Sequence, residues 1–322
     1  MKWLIIILSL SFLTSCTYIE DIKSDITGEV IYENIPVEGG NISVYFCPRD
    51  DCEGKLINLV ESSEKIHCAL FELNLENLTQ KLIDKNAVIV VDNDNYDEFN
   101  YSNLYKDDRE VLMHNKFCIF DDRTVSTGSF NPTINGNSKN NNNLIVVNSK
   151  VLAENYEEEF QSFMRNEFGR DSNVENPKVI LNNEILVENY FCPEDNCEQH
   201  VYDTIARARS RVYFMTFSFT SDKIGNLIIE KSDQLDVKGI FENFQSSSKY
   251  SELGKMKGLD VITDKNPNFM HHKVFIVDDI VVSGSYNPTS SGNSKNDENV
   301  LIIYDKKIAD KFIEELNYLW NL

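Results

Sequence analysis

The phrase MHNKFCIFDD, starting at Met113, returns as MHHKVFIVDD at Met270, and the two copies hold three of the chain's five histidines. Each sets a histidine two residues before a lysine: His114 and Lys116 in the first, His271 and Lys273 in the second. Side chains two apart on a strand share a face, so each pair can address one ligand. Downstream, Gly128-Ser129-Phe130-Asn131 and Gly284-Ser285-Tyr286-Asn287 add a hydroxyl and a carboxamide of matching parity. These four groups suit a tetrahedral oxyanion: lysine neutralises charge, while Ser and Asn donate hydrogen bonds. Histidine attacks phosphorus or moves a proton near neutral pH, and two histidines allow both roles at once. Such chemistry requires neither a metal nor an organic cofactor. His272 beside His271 diverges on a strand and further ligands are lacking nearby, so no metal site is expected.

The elements that must position these groups also come twice. Each half opens with YFCP, at Tyr45 and Tyr190, then continues into a helix-like segment. Apolar strand-like runs follow from Ile66 and Val212, then a second helix, then apolar runs ending at Asp92 and Glu242. After a variable polar loop come the histidine phrase, the Gly-Ser turn, another apolar strand and an amphipathic closing helix. Strands alternating with helices predict an α/β architecture. The polar stretch 169–177 reads as a linker, dividing one repeat (17–170) from the next (171–322). Between the repeats the loops differ, but His, Lys, Asp, Gly-Ser, Asn-Pro-Thr and Gly-Asn-Ser-Lys-Asn persist. Packing preserves apolar character and rarely preserves polar identity, so the retained polar set marks a site. Within it, Lys139 and Lys295 are candidates for secondary phosphate contacts, and Phe130 and Tyr286 are expected beneath the turns.

With 31 basic and 52 acidic residues the net charge is −21, which argues against a generally basic nucleic-acid surface but leaves room for a local cleft. At 322 residues and 41% hydrophobic, the chain can bury the cores of about two domains. Lys2, an apolar run over 4–13 and small residues before Cys16 have the layout of an export signal (1–16), too short for an ordinary membrane span. Leu13-Thr14-Ser15-Cys16 resembles a lipobox, which would lipidate Cys16 and tether the protein to a membrane. In an oxidising compartment, Cys47 with Cys52 and Cys192 with Cys197 read as two short-loop disulfides. Zinc is the competitor, but it would need both phrases to meet. Cys68 and Cys118 sit in apolar runs and read as buried small hydrophobes.

The two histidine phrases, with Asp121 and Asp278 closing them and the Gly128 and Gly284 turns beyond, resemble the HxKxxxxD…GSxN motif of the phospholipase D superfamily. The resemblance covers both halves, from the YFCP phrases to the closing helices. It implies two tandem α/β sandwich repeats packed about a pseudo-twofold axis. It also implies phosphodiester chemistry through a phosphohistidine, with one histidine as nucleophile and the other as general acid. Asp121 and Asp278 would then hold turn geometry. Aligning GNSKNNNNL with GNSKNDENV sets Asn142 opposite Glu298, where similar proteins carry an acidic group that orients a histidine. Within the second repeat, Glu298 is expected to support His271 as the acid, leaving His114 as nucleophile. The compact halves favour a nuclease-like phosphodiesterase acting on nucleic acid, with a phospholipase or phosphatidyltransferase as the alternative and a surface-anchored binding protein as the non-enzymatic one. No homodimer is required, because one chain supplies both histidines.

Overall fold

The apolar runs become strands and the amphipathic runs helices, in a computed structural model describing residues 35–92, 100–169 and 173–322. The expected export signal and Cys16 lie outside the described residues. In the first half the strands are β1 (Val37–Glu38), β2 (Asn41–Cys47), β3 (Ile66–Leu70), β4 (Val88–Asp92), β5 (Leu104–Asp107), β6 (Lys116–Phe120), β7 (Thr124–Gly128) and β8 (Asn142–Asn148). Its helices are α1 (Cys52–Ser62), α2 (Glu76–Asp84), α3 (Ile134–Ser138) and α4 (Lys150–Met164). The second half has β9 (Lys178–Leu181), β10 (Ile185–Cys192), β11 (Arg211–Thr216), β12 (Asp236–Phe241), β13 (Asp260–Thr263), β14 (Lys273–Val277), β15 (Ile280–Gly284) and β16 (Glu298–Tyr304). Its helices are α5 (Cys197–Ala206), α6 (Asp222–Lys231), α7 (Ser290–Ser294) and α8 (Lys306–Trp320).

One sheet runs β2-β8-β7-β6-β3-β4-β5, and the other β1-β9-β10-β16-β15-β14-β11-β12-β13. From β10 onward the second order repeats the first strand for strand, so the written duplication is a structural one. The second sheet is extended by β9 and by β1, a strand that precedes the first sheet in sequence and pairs with β9 in parallel. Helices are capped locally: Ser149 accepts from the Leu152 amide at 3.1 Å and Asp305 from the Ile308 amide at 2.8 Å.

Leu56, Val60, Leu78 and Leu82 of α1 and α2 pack on the first sheet, and Val201, Ile205, Ile224 and Ile228 of α5 and α6 on the second. Between the sheets, Tyr156 and Phe160 of α4 and Phe312 and Leu316 of α8 share one core with Phe117, Ile119, Ile276 and Val281. That central core fixes the two repeats against each other. Phe312 is fully buried in it, and Phe312→Ala would cost about 3–5 kcal/mol.

The disulfides Cys47–Cys52 and Cys192–Cys197 form, which leaves none of these thiols for zinc. Cys68 and Cys118 require a correction. They are buried, but the antiparallel register of β3 on β6 sets them opposite each other at a Cα–Cα distance of 4.1 Å, and they form a third disulfide. Strand periodicity reports which face a residue takes, not which strand lies beside it. Three disulfides fit an oxidising compartment. No described helix is long and apolar enough to cross a membrane.

Candidate active site

Each histidine phrase is stitched to the opposite repeat before its ring makes any contact. The His114 amide donates to the Asp297 carbonyl at 2.9 Å, and the Asp297 amide returns to Leu112 at 3.0 Å. In the pseudo-symmetric place, the His271 amide donates to Asn141 at 2.8 Å and the Asn141 amide to Phe269 at 2.9 Å. The next residue of each loop then reaches the ring. Glu298 Oε2 lies 2.7 Å from His114 Nδ1, and Asn142 Oδ1 lies 2.9 Å from His271 Nδ1. The Ser129 carbonyl is a second neighbour of His271 Nδ1, at 3.1 Å. All these partners are acceptors, so Nδ1 carries the proton in both rings and Nε2 keeps its lone pair.

This pairing corrects the expectation that Glu298 supports His271. The carboxylate serves His114, and the uncharged Asn142 serves His271. Alignment of the repeats identified the special position, but the crossing of partners is a property of how the repeats dock.

The motif serines also differ from expectation. Ser129 Oγ accepts from the Asn143 amide at 3.0 Å and lies 3.5 Å from Asn142 Oδ1, while Ser285 Oγ accepts from the Asn299 amide at 2.9 Å. The Ser285 hydroxyl also eases ionisation of Glu298. Both serines are fully buried and hold the residues that hold the histidines, instead of offering their hydroxyls to a ligand. Glycine is needed just before each: Gly128 has φ +132, and a Cβ there would stand 2.5 Å from the Asn143 carbonyl. At Gly284, with φ +142, the corresponding approach to the Asn299 carbonyl is 2.2 Å.

Lys116 Nζ donates to the His114 carbonyl at 2.6 Å, and Lys273 Nζ lies 3.0 Å from His271 Nε2. Their stems are buried and their ammonium groups lie over Phe71 and Phe217, at 4.8 and 5.0 Å from the ring centroids. Asp121 accepts from the amides of Glu64 and Lys65, both at 2.9 Å, and Asp278 from those of Arg209, Ser210 and Arg211 at 2.8, 2.9 and 3.0 Å. Neither aspartate lines the cavity.

His114, His271, Asn131 and Asn287 line a single cavity of about 590 Å³. Lys139 and Lys295 are exposed outside its lining, where their neighbours Asn140 and Asn296 take part instead. Phe130 and Tyr286 are buried. Several lining residues were not singled out in the sequence, among them Phe71, Glu72, Phe217, Gln245 and Phe269. Phe71 and Phe217 continue β3 and β11, donating their amides to Asn115 at 2.8 Å and His272 at 2.7 Å. Aligning FEL with FSF at the ends of these strands would have exposed Glu72 opposite Ser218.

Burial drives both imidazoles well below their ordinary value, and Lys116 and Lys273 add to the fall. Both rings are therefore neutral near pH 7 in the ligand-free cavity. Burial pushes Lys116 down to about 8 and Glu298 up to about 8, each moderated by its attraction to the other. Lys273 is also held well below the usual lysine range by burial and by Lys116. An entering anion would restore charge to the lysines and to His271. Away from the cavity's lining, Glu159, Glu194 and Asp297 are the one group of carboxylates among the described residues close enough to share a cation. Arg109 already pairs with Asp297 there.

A family described as "Cardiolipin synthase, PLD-like domain" matches residues 78–164 and 201–320, together more than half of the chain. A protein named phospholipase D from Rickettsia bellii is 29% identical over 132 residues, covering 40% of this chain and 66% of that one. A mitochondrial cardiolipin hydrolase from Homo sapiens is 31% identical over 121 residues, covering 35% of this chain and 46% of its own. The chain thus matches slightly less than two thirds of the first of these relatives and under half of the second. Among solved structures, phosphatidylserine synthase from Haemophilus influenzae Rd KW20 superposes with a TM-score of 0.63 at 13% identity, covering 85% of each chain, a likeness of fold. With both repeats, both histidine phrases and the matched segments in agreement, the chain belongs to the phospholipase D superfamily.

Proposed function

We propose that the cavity hydrolyses phosphodiesters in two steps through a covalent phosphohistidine on His114. The contact that carries this reading is the Glu298 carboxylate, 2.7 Å from His114 Nδ1. As His114 Nε2 bonds to phosphorus, the ring becomes positively charged, and a buried carboxylate at Nδ1 stabilises that charge. The bond from phosphorus to the leaving oxygen breaks, and His271, protonated once the diester's charge has entered, gives its Nε2 proton to the departing alkoxide. Neutral His271 then takes a proton from water, the hydroxide attacks phosphorus, and the P–N bond breaks. Lys116 and Lys273 offset the charge on the phosphoryl oxygens, and the Asn131 and Asn287 amides complete their contacts. No metal takes part in these steps.

Phospholipid is favoured over nucleic acid as the substrate. Among the described residues the cavity's lining includes no lysine or arginine, and Lys116 and Lys273 are buried against the two histidines, which leaves neither for the flanking phosphates of a polynucleotide, bound chiefly through such cations. The names of the relatives, phospholipase D and cardiolipin hydrolase, point the same way. Export, with a lipid tether at Cys16, would bring the enzyme to membrane lipid, and one chain would suffice for activity.

The test is turnover of bis-p-nitrophenyl phosphate, of phospholipid vesicles and of DNA, each with EDTA present. Hydrolysis of the first two is expected. Loss of all activity with EDTA would contradict the metal-free chemistry, and cleavage of DNA alone would return the substrate to nucleic acid. A folded protein inactive on every diester would favour a binding role.

A further inference from the structure

An exposed apolar side chain means little alone and more where several meet. Ile134, Phe244 and Phe269 are 58%, 70% and 40% exposed, and all three border the cavity. Phe269 lines it, as do Asn135 and Gln245, the chain neighbours of the other two. Hydrogen bonds tie their segments into one surface. Buried Asp264 accepts from the amides of Asn243 at 2.7 Å and Asn266 at 2.9 Å, which clips the Phe244 loop to the segment 265–269. Asn266 Nδ2 in turn donates to the Lys139 carbonyl at 2.9 Å, joining that segment to the end of α3, the helix that Ile134 begins. Exposed lysines stand beside the apolar groups: Lys139, Lys265, and Lys295 next to the lining residue Asn296. None of the three forms an ion pair among the described residues, whereas Asp222 holds Lys255 at 2.6 Å.

We infer that this rim is a docking surface for an anionic phospholipid bilayer. Ile134, Phe244 and Phe269 enter the boundary between headgroups and acyl chains, and the lysines meet lipid phosphates. The inference rests on the phospholipid reading and adds how the substrate reaches the cavity. With a net charge of −21 the chain as a whole is repelled by an anionic surface, so local cations at short range decide which face approaches. Aromatic rings with lysines also suit a single-stranded nucleic acid, but Ile134 has no π face for a base to stack on.

The experiment puts a reporter in the rim. Phe244→Trp emission, read as the difference from the unmutated protein, is followed on adding vesicles of phosphatidylglycerol or phosphatidylcholine, with and without brominated acyl chains. Phosphatidylglycerol is expected to shift the emission to the blue, and the bromines to quench it. Lys139→Gln with Lys295→Gln in the same background should weaken partition about 30-fold, and phosphatidylcholine should bind correspondingly less. The quench reports where position 244 sits, which a lipid tether at Cys16 does not mimic. Ile134→Ser with Phe244→Ser should lower kcat/KM on phosphatidylglycerol vesicles at least about tenfold and leave turnover of bis-p-nitrophenyl phosphate unchanged. Emission unmoved by vesicles, an equal response to both lipids, a shift with single-stranded DNA in their place, or vesicle turnover untouched by the double serine variant would overturn the docking surface. Absence of wild-type turnover on bis-p-nitrophenyl phosphate sinks the phosphodiesterase reading instead, and the quench, which needs no catalysis, still decides the docking.

Discussion

Replacing Glu298 by glutamine is the most informative single change. Glutamine has nearly the same shape and still offers an oxygen to His114 Nδ1, now 2.7 Å from the carboxylate. The tautomer that leaves Nε2 free should therefore survive, and above about pH 8, where Glu298 is ionised and the comparison is made, only the charge is lost. In the resting enzyme the imidazole is neutral, so the difference between a charged and a neutral acceptor is about 1–1.5 kcal/mol. During attack the ring acquires a full positive charge. At a separation of roughly 4 Å and an effective dielectric constant near 20, a carboxylate attracts that charge by about 4 kcal/mol. The phosphorylation step should slow by about 10³-fold, with a floor of about tenfold if only the hydrogen bond matters. The assay is the pre-steady-state burst of p-nitrophenolate from bis-p-nitrophenyl phosphate, with thermal unfolding as a control for loss of structure. Asn142→Asp is the companion variant, because it adds a charge at His271 Nδ1 and should raise the basicity of the acid instead of speeding attack. A Glu298→Gln protein with an unaltered burst rate would refute the assignment of this carboxylate to the nucleophile.

Three further outcomes follow from the same geometry. Burial moves Lys116 down to about 8 and Glu298 up to about 8, so the lysine's charge is lost above that pH and the carboxylate's charge below it, and kcat/KM should peak near 8 and fall on both sides; a flat profile from about pH 6 to 10 would contradict this. Cys68→Ala with Cys118→Ala opens a loop with a sequence separation of 50 and should lower stability by about 4 kcal/mol, against about 2 for the pair with a separation of 5, in urea unfolding followed by fluorescence. Gly128→Ala forces a Cβ toward the Asn143 carbonyl at positive φ and should cost at least about 2 kcal/mol, reducing kcat through displacement of Asn142 from His271.

Much of this arrangement was legible in the sequence because the chain is duplicated. The alternation of apolar runs gave the α/β class, and the recurrence of His114-Lys116 as His271-Lys273 picked out the two histidines that the repeats bring to one cavity, each with its lysine packed beside it. Relations across the repeat interface were not legible. Glu298 lies beside its own repeat's phrase in alignment, yet it bonds the histidine of the other, because β16 begins where the opposite loop crosses. The serines share parity with the site-facing asparagines, but the positive φ of Gly128 and Gly284 turns the chain and sends the hydroxyls to the next strand. The Cys68–Cys118 bond depends on which strands neighbour each other, and Glu72 on comparing two strand ends whose only conspicuous feature is a single charge.

The most direct measurement of the central claim is to quench the enzyme during turnover of a labelled phosphodiester and locate the acid-labile phosphoryl group by peptide mass spectrometry. The label is expected on His114, absent in His114→Asn, and enriched in His271→Asn when the leaving group needs no proton. A label found on His271 alone, or turnover with no covalent phosphoryl enzyme at any time point, would contradict the account.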